Sequence, residues 1–319
     1  MRCRTCSEKA VINMRQHKLA LCRLHYLEWL PKQVERSISK YRMFTHRDRL
    51  LIAVSGGKDS LSLWDILIRL GYSVDGLYID LGIDAGINYS STSLDYALNF
   101  ALKYNLLLHV VDIEAEYGEA IPELAMRTHR GHYKPCSVCG LTKRHVMNLR
   151  AHRAAYDVLI TGHNLDDEAA ILFGNTLSWT GSYLVRQGPV LEADRPGLMR
   201  KVKPLCRTYE RELAAYAFLQ GISYIQKECP FAADSTSIYY KQLLNKLESD
   251  RPGAKLSFYL SFLQARRAGL FSDAIDEHAK LVHDCPECGQ PTSAPGLCIF
   301  CRMFSKTEDN LRINEMNLI

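Results

Sequence analysis

The sequence lacks any uninterrupted apolar run near the roughly 20 residues that a membrane-spanning helix requires. Its first residues, Met1–Cys6, contain no apolar core of a secretory signal peptide. Low-complexity tracts and internal repeats are also missing, apart from a Cys-x-x-Cys pair near each end. These absences argue against membrane-embedded, secreted and disordered proteins, and they predict a cytoplasmic protein whose thiols stay reduced.

The composition indicates a folded protein with one strongly basic end. Of the 319 residues 47% are apolar, which is enough for one sizeable core with smaller appendages. Residues 1–49 hold 12 Lys and Arg against 4 Asp and Glu, a charge of +8 that leaves −3 for the rest of the net +5. This concentration favours a polyanionic partner, although a solvated helix face would give the same count.

The segment Ser55-Gly56-Gly57-Lys58-Asp59-Ser60 gives the strongest indication of chemistry. It follows the apolar run Leu50–Val54, typical of a buried parallel strand, and precedes the amphipathic helical pattern of Leu61–Ile68. Two glycines allow a tight turn whose N–H groups converge at the positive end of that helix, which suits a phosphate or pyrophosphate. The spacing differs from that of the Walker P-loop. The alternative is an ordinary strand-to-helix turn whose serines cap the helix.

Alternating strand and helix patterns over residues 49–205 predict an α/β fold with a doubly wound parallel sheet. Ligands of such sheets bind beyond the carboxyl ends of the strands, where Ser55–Ser60, Asp80, Gly162–Asn164 and Asp166–Asp167 would meet. The predicted strands are Leu50–Val54, Val74–Asp80, Leu107–Ile113, Asp157–Thr161 and Met199–Pro204, and the predicted helices are Pro31–Phe44, Ser60–Leu70, Ser91–Tyr104, Leu141–Ala155, Asp166–Trp179, Tyr209–Gln220, Thr236–Glu248 and Lys255–Ala268.

Seven of the eleven cysteines, together with His25, fall into two modules with the spacing of zinc ribbons. Each module places two ligand pairs on short turns that can close a tetrahedron. Modules this small carry little apolar content and usually need metal to fold. Because every position of each tetrahedron is filled by protein, we expect two structural zinc ions. The patterns are Cys3-x2-Cys6-x15-Cys22-x2-His25 and Cys285-x2-Cys288-x9-Cys298-x2-Cys301.

Three further cysteines form a different group. Cys136 and Cys139 make a Cys-x-x-Cys pair just before a predicted helix, and Cys229 follows a predicted helix and a predicted strand. Three thiolates are one short of a closed zinc site, whereas a [4Fe-4S] cluster held by three cysteines keeps one iron open for a small ligand such as sulfide. The alternatives are a redox dithiol, a persulfide-carrying cysteine or separate core thiols. Cys206 is predicted to be such a core thiol.

The Ser55–Ser60 segment resembles the PP-loop of ATP pyrophosphatases, which split ATP between its α- and β-phosphates. From end to end, the chain resembles the tRNA 2-thiolation enzymes that convert T-loop 5-methyluridine to its 2-thio form. The order of the matching blocks and the cysteine module at each end make this resemblance specific. The blocks are Leu19–Arg23, Ser55–Ser60, Pro135–Arg144, Thr161–Ala169, Glu228–Pro230 and the C-terminal cysteine module.

We therefore expect a PP-loop ATP pyrophosphatase domain flanked by zinc-ribbon modules. The expected regions are 1–30, an N-terminal zinc module; 31–48, a basic helical linker; 49–205, the PP-loop domain; 206–282, a helical extension with the third cluster cysteine; and 283–319, a C-terminal zinc module.

The resemblance also implies a reaction and roles for individual residues. ATP would adenylate the uridine O2 with release of pyrophosphate, and sulfur held at the open iron would displace AMP. Cys136, Cys139 and Cys229 would hold the [4Fe-4S] cluster. Asp59, Lys143 and Asp167 would be catalytic, although Asp166 stays a candidate beside Asp167, and helix-surface or capping roles are the alternatives. Mg-ATP would bind Ala53, Ser55, Gly57, Lys58, Asp59, Ser60, Ile79, Lys143 and Gly162.

The implied partners are tRNA and a sulfur donor. Free sulfide or a ubiquitin-like carrier with a C-terminal thiocarboxylate would supply the sulfur, since the chain contains no carrier or rhodanese-like domain of its own. The basic helix and zinc modules would grip tRNA through phosphates and shape. A homodimer is implied as well. One departure is the long basic stretch Met126–Lys134, which is either a tRNA-contacting loop or a solvated insertion.

Other functions remain possible at this level. An anticodon wobble-uridine 2-thiolase shares the PP-loop and the Cys-x-x-Cys pair, and cytidine thiolases share them but usually lack terminal zinc modules. A PP-loop amidotransferase is disfavoured because no nucleophilic cysteine follows Met1. A non-catalytic zinc-dependent tRNA-binding protein would be expected to have a degenerate PP-loop, whereas Ser55–Ser60 is intact.

Overall fold

A six-stranded β-sheet forms the centre of the computed structural model, which describes residues 1–128, 135–232, 236–271 and 282–305. Small two-stranded hairpins lie near each end of the chain. The strands of the described residues are β1 (Ile12–Met14), β2 (Leu19–Leu21), β3 (Leu50–Ala53), β4 (Val74–Asp80), β5 (Leu108–Asp112), β6 (Val158–Thr161), β7 (Val190–Leu191), β8 (Arg200–Val202), β9 (His283–Asp284) and β10 (Pro291–Thr292).

The central sheet has the order β5-β4-β3-β6-β8-β7. All neighbouring pairs are parallel except β7, which runs antiparallel to β8 at the edge. The predicted parallel sheet is thus confirmed, although β7 was not predicted. Strand β4 lies on one side of β3 and β6 on the other, so the strand order reverses at the carboxyl end of β3. Ligands of open α/β sheets bind at such a reversal.

Both faces of the sheet are buried beneath helices. Leu50 and Ile52 of β3 face one core, which contains Trp64, whereas Leu51 faces a second core with Leu159. Successive side chains of a strand point to opposite faces, so a strand buried on both sides is apolar at every position. This arrangement confirms the doubly wound fold.

Helices occupy most of the remaining described chain. None of the described helices is both long and apolar enough to cross a membrane. They are α1 (Arg23–Lys40), α2 (Lys58–Arg69), α3 (Tyr89–Tyr104), α4 (Ile113–Tyr117), α5 (Ile121–Arg127), α6 (Pro135–Arg153), α7 (Leu165–Leu177), α8 (Gly181–Arg186), α9 (Glu210–Gln220), α10 (Thr236–Asp250), α11 (Ala254–Arg267) and α12 (Ile299–Phe304).

Helix α1 differs from its prediction. It begins at Arg23, directly after its N-cap Cys22, and continues through Pro31, where the helix was wrongly expected to start. A proline inside a helix costs about 3 kcal/mol. Burial of one large apolar side chain stabilises by about 1.5–3 kcal/mol, so a buried stripe outweighs the proline. The stripe consists of Tyr26, Leu30, Val34 and Ile38, which are at most 1% exposed.

Two local predictions around the cysteines also need correction. Cys136 and Cys139 lie inside the first turns of α6 rather than before the helix. The segment between α9 and Cys229 contains no strand; instead, the Ile225 N–H donates to the carbonyl of Gly56 at 3.0 Å. This bond ties the chain before Cys229 to the PP-loop. Residues 129–134 of the predicted basic stretch and 306–319 of the expected C-terminal module lie outside the described residues.

Candidate functional site

The PP-loop joins β3 to α2 in a conformation that requires its first glycine. Gly56 has a φ of +69°, and a Cβ there would lie 2.1 Å from the carbonyl oxygen of Ser93. Gly57 is the extended N-cap of α2. The Ser60 hydroxyl stiffens the loop, since it accepts from the Ser55 N–H at 3.1 Å and donates to the Gly57 carbonyl at 3.2 Å. The loop N–H groups at a helix start are suited to an anion.

A cavity of about 120 Å³ lies between the carboxyl ends of β3 and β4 and helices α3 and α6. It brings together four of the predicted nucleotide-binding residues: Ala53, Ser55, Ile79 and Lys143. Gly162 lies on the other side of the loop, where an added Cβ would be 3.1 Å from the Ser60 backbone nitrogen. The cavity has a mostly apolar wall, built from Val54, Leu77, Tyr78, Leu81, Tyr89 and Met147, with Ser90 and Ser93 as the remaining lining residues.

The charged residues of the PP-loop have partners that the sequence did not indicate. Lys58 Nζ lies 2.7 Å from Glu210 Oε1 and 3.3 Å from Asp59 Oδ2. Burial disfavours the charged form of Lys58, but the nearby carboxylates of Asp59 and Glu210 outweigh burial and raise the pKa of Lys58. Burial raises the pKa of Asp59 to about 6. The negative charges of Glu210 and Asp167 also raise this pKa, whereas the positive charge of Lys58 lowers it. Within the described residues, the buried Asp59 Oδ1 has no hydrogen-bond partner, which leaves it for a cation or water.

Asp166 and Asp167 occupy the first turn of α7 but differ in their surroundings. Asp166 is buried, and its carboxylate accepts from Lys255 Nζ at 2.5 Å and from the Glu210 N–H at 2.9 Å. The side chain of Asp167 is 24% exposed and lies 2.5 Å from Lys241 Nζ. Asp167 also forms a reciprocal cap with Asn164. The Asp166 carboxylate is therefore buried among its partners, whereas the Asp167 carboxylate stays partly exposed and its charge acts on Asp59 of the PP-loop.

Lys143 of α6 lies close to both the cavity beside the PP-loop and the three cysteines. It lines the cavity, and its positive charge acts on both Cys136 and Cys229. Burial raises the pKa of both thiols, and the charge of Cys139 adds to this, whereas Lys143 opposes it. One lysine is thus near both the PP-loop cavity and the thiols.

The third group of thiols is less compact than a zinc site. It consists of Cys136, Cys139 and Cys229, which are close enough for their charges to interact. Cys136 is exposed, and its thiol donates to the Phe231 carbonyl at 3.2 Å. Cys139 and Cys229 are half-buried. In the described chain, two groups of potential metal ligands have all their ligand atoms within 4.8 Å of one another, and these three cysteines belong to neither. Wider spacing with one accessible edge fits a polynuclear cluster whose thiolates bind different irons.

The N-terminal group has the geometry of a closed metal site. The ligand atoms of Cys3, Cys6, Cys22 and His25 lie within 4.8 Å of one another. His25 Nδ1 is 3.2–3.5 Å from the three sulfurs. Burial opposes ionisation of Cys3, but the backbone N–H groups of Cys22, Cys6 and Thr5 lower the pKa of its thiol to about 5. This donor set suits zinc.

The C-terminal group includes a residue that the sequence did not indicate. Cys288, Cys298 and Cys301 share their 4.8 Å group with His145 of α6, whose ring stacks on Phe300 at 3.9 Å. The fourth predicted ligand, Cys285, accepts from the Cys298 N–H at 3.3 Å. His145 lies far from the cysteines in sequence, so no spacing pattern could have found it.

The prediction for Cys206 agrees with the structure. All eleven cysteines are free. Cys206 is fully buried, and burial together with the charge of Glu168 raises its pKa to about 12. This confirms that Cys206 is a core thiol.

Comparisons with known proteins point to one family. A family model described as "2-thiouridine synthetase TtuA, N-terminal LIM domain" matches residues 2–27. The chain is 48% identical to the tRNA-5-methyluridine(54) 2-sulfurtransferase of Thermus thermophilus, covering 95% of this chain and 91% of that protein. It is 39% identical to the protein of the same name from Pyrococcus horikoshii, covering 98% and 97%.

The fold resembles that of the U34-tRNA thiolase NcsA from Methanococcus maripaludis, a structure described with its [4Fe-4S] cluster. The TM-score is 0.79 at 22% identity, covering 98% of this chain and 96% of that chain. This likeness supports the fold, and the sequence relatives decide the family. The resemblance drawn from the sequence is confirmed: this chain belongs to the family of tRNA-5-methyluridine(54) 2-sulfurtransferases.

Proposed function

We propose that this protein replaces the 2-oxygen of 5-methyluridine 54 in the tRNA T-loop with sulfur, at the expense of ATP. The observation that carries the proposal is the position of Lys143, which lines the cavity beside the PP-loop and acts through its charge on Cys136 and Cys229. A site that joins nucleotide binding to thiol chemistry suits activation of an oxygen followed by its replacement with sulfur.

The first step is adenylation. The uridine O2 attacks the α-phosphorus of ATP, the bond from that phosphorus to the bridging oxygen breaks, and pyrophosphate leaves. The PP-loop N–H groups and Lys58 hold the leaving phosphates, and Lys143 stabilises the charge that develops on the α-phosphate. Asp59 has an unpartnered buried oxygen and Asp167 a partly exposed carboxylate, which suits both for Mg²⁺ or a proton.

The second step replaces oxygen with sulfur. A sulfur nucleophile forms the new bond to C2, and the C2–O2 bond breaks as AMP departs with the oxygen. Cys136, Cys139 and Cys229 would hold a [4Fe-4S] cluster, which supplies an iron without a protein ligand where sulfide can bind. Cys136 is exposed and lies on the same helix as Lys143, so sulfur would be delivered beside the activated base.

The two remaining groups would hold zinc and support the fold. Cys3, Cys6, Cys22 and His25 fill four positions. Cys285, Cys288, Cys298 and Cys301 are the proposed C-terminal ligands from the sequence spacing, and His145 lies beside the last three as a competing ligand. We infer that these modules and the basic residues of α1 bind tRNA. Sulfide or a thiocarboxylated ubiquitin-like carrier would donate the sulfur. The protein would act as a cytoplasmic homodimer.

Anaerobic purification tests the proposal. Iron and acid-labile sulfide would be measured for the wild type, for Cys229→Ala and for Cys206→Ala, whose buried thiol lies outside the group. Product would be followed as thiolated nucleoside from unmodified tRNA, ATP and sulfide. We expect about four irons per chain in the wild type and in Cys206→Ala, with both cluster and activity lost in Cys229→Ala. Full activity of iron-free protein would contradict the cluster and favour a persulfide.

The target nucleotide is tested with tRNA variants. Replacing the T-loop uridine should abolish thiolation, whereas replacing the wobble uridine should leave it unchanged. The reverse result would assign the protein to anticodon thiolation, and tRNA binding without product would indicate a non-catalytic binder.

A further inference from the structure

Five charged side chains of alternating sign form a continuous row beside the PP-loop. Lys58 contacts Asp59 at 3.3 Å and Glu210 at 2.7 Å. The second oxygen of Glu210 lies 3.3 Å from Lys241, which reaches Asp167 at 2.5 Å. Two of its three interior members, Glu210 and Lys241, come from α9 and α10, and none of the motifs discussed above includes them.

The row is partly shielded from water. The side chains of Lys58, Lys241 and Glu210 are 22%, 24% and 33% exposed. Their interactions are therefore screened less than those of surface ion pairs. Glu210 is the shared acceptor: each of its carboxylate oxygens contacts a different lysine.

The backbone beneath Glu210 is fixed. The Glu210 N–H donates to Asp166 at 2.9 Å, and Asp166 is held by Lys255 at 2.5 Å. Lys255 is itself buried and also donates to Asn245 at 2.6 Å. With its backbone anchored in this way, the Glu210 carboxylate can exchange partners by side-chain rotation alone.

We propose that Glu210 and Lys241 are positioning residues of the adenylation site. Glu210 holds Lys58 until nucleotide phosphates replace Glu210 as the partner of that lysine. Lys241 then neutralises the released Glu210 carboxylate while keeping Asp167 in position. The inference rests on the proposed binding of ATP at the PP-loop. Nucleotide phosphates and Glu210 compete for the same ammonium group, so the carboxylate lowers ATP affinity in the free enzyme. Lys241 limits this competition because it also pairs with Glu210 and so weakens the hold of that carboxylate on Lys58.

The two residues therefore have opposite effects on ATP binding. Glu210→Gln keeps the shape but removes the competing charge, so the KM and Kd for ATP should fall by about fivefold. Lys241→Ala leaves Glu210 entirely to Lys58 and leaves Asp167 without its cation, so the Kd should rise and kcat should fall, each by about tenfold. Lys241→Arg should recover most of the loss, since it restores the charge.

Anaerobic holoprotein would be used, with Kd for ATP from calorimetry and kcat and KM from thiolated nucleoside. Lys246→Ala, an exposed lysine on the same helix, is the matched control and should behave as wild type. Thermal unfolding would be recorded for every variant, because a merely structural role would lower stability without moving the two Kd values in opposite directions.

The outcomes separate the two proposals. Opposite shifts in Kd support the positioning role. Equal Kd values in wild type, Glu210→Gln and Lys241→Ala would overturn it while leaving the proposed function intact. Failure of the wild type itself to bind ATP would instead overturn the proposed function at the PP-loop, and this inference with it.

Discussion

Asp166 and Asp167 are adjacent in sequence, but their carboxylates have different roles in the structure. Asp166 pairs with the buried Lys255 at 2.5 Å, whereas Asp167 pairs with the partly exposed Lys241 at the same distance. Breaking a buried ion pair by removing one member costs about 3–5 kcal/mol, because the other charge stays buried without a partner.

The adjacent carboxylates should therefore respond differently to the same substitution. Asp166→Asn should lower the free energy of unfolding by about 3 kcal/mol. Asp167→Asn should change stability by less than about 1 kcal/mol but should abolish most thiolation. Urea denaturation and single-turnover thiolation would be measured for both variants. Equal losses of stability would contradict this division of roles.

Gly56 should be indispensable for the PP-loop. Its φ of +69° disfavours any side chain, and a Cβ would lie 2.1 Å from the Ser93 carbonyl oxygen. Gly56→Ala must therefore displace the loop from α3, and we expect ATP affinity to fall by at least about tenfold. Gly86→Ala is the matched control, since Gly86 has a φ of +73° with nothing within 4 Å of the added Cβ. Calorimetry with ATP measures both; equal effects would contradict the steric explanation.

The sheet and the PP-loop could be predicted from the sequence because they depend on local patterns. The apolar run ending at Val54 and the two glycines after it define a buried strand and a turn without reference to any distant residue. The start of helix α1 was harder to predict, because a proline such as Pro31 is typical of the first turn of a helix. The buried stripe of Tyr26 and its neighbours is instead set by packing against the rest of the protein.

The site residues that the sequence did not indicate were missed for a different reason. Glu210 and Lys241 act through ion pairs with Lys58 and Asp167, and His145 joins thiols that follow it by well over a hundred residues. Such partners depend on how distant elements meet, so no spacing in the sequence reports them. The different surroundings of Asp166 and Asp167 likewise depend on Lys255 of α11, which contacts Asp166 of α7.

The N-terminal metal should stabilise the whole protein. Cys22 is the N-cap of α1, and Tyr26 of that helix donates to the carbonyl of Glu212 in α9 at 2.6 Å. Loss of one ligand would therefore loosen α1 as well as the hairpin. His25→Ala should lower bound zinc from about two to about one per chain and lower the melting temperature by several degrees. His152→Ala, an exposed histidine of α6, is the control. Unchanged zinc content in His25→Ala would contradict the ligand assignment.

Asp59 should make the protein less stable as the pH rises. Burial raises its pKa from 3.8 to about 6 in the folded protein. Between these values the folded state keeps a proton that the unfolded state has released, so the free energy of unfolding falls as pH increases from about 4 to 6. The full loss is about 3 kcal/mol, since one pKa unit corresponds to about 1.4 kcal/mol. Asp59→Asn cannot ionise, and its stability relative to wild type should increase over this range. Urea denaturation at pH 4.5 and pH 7 tests this: a constant difference between the two proteins would show that Asp59 ionises with an ordinary pKa.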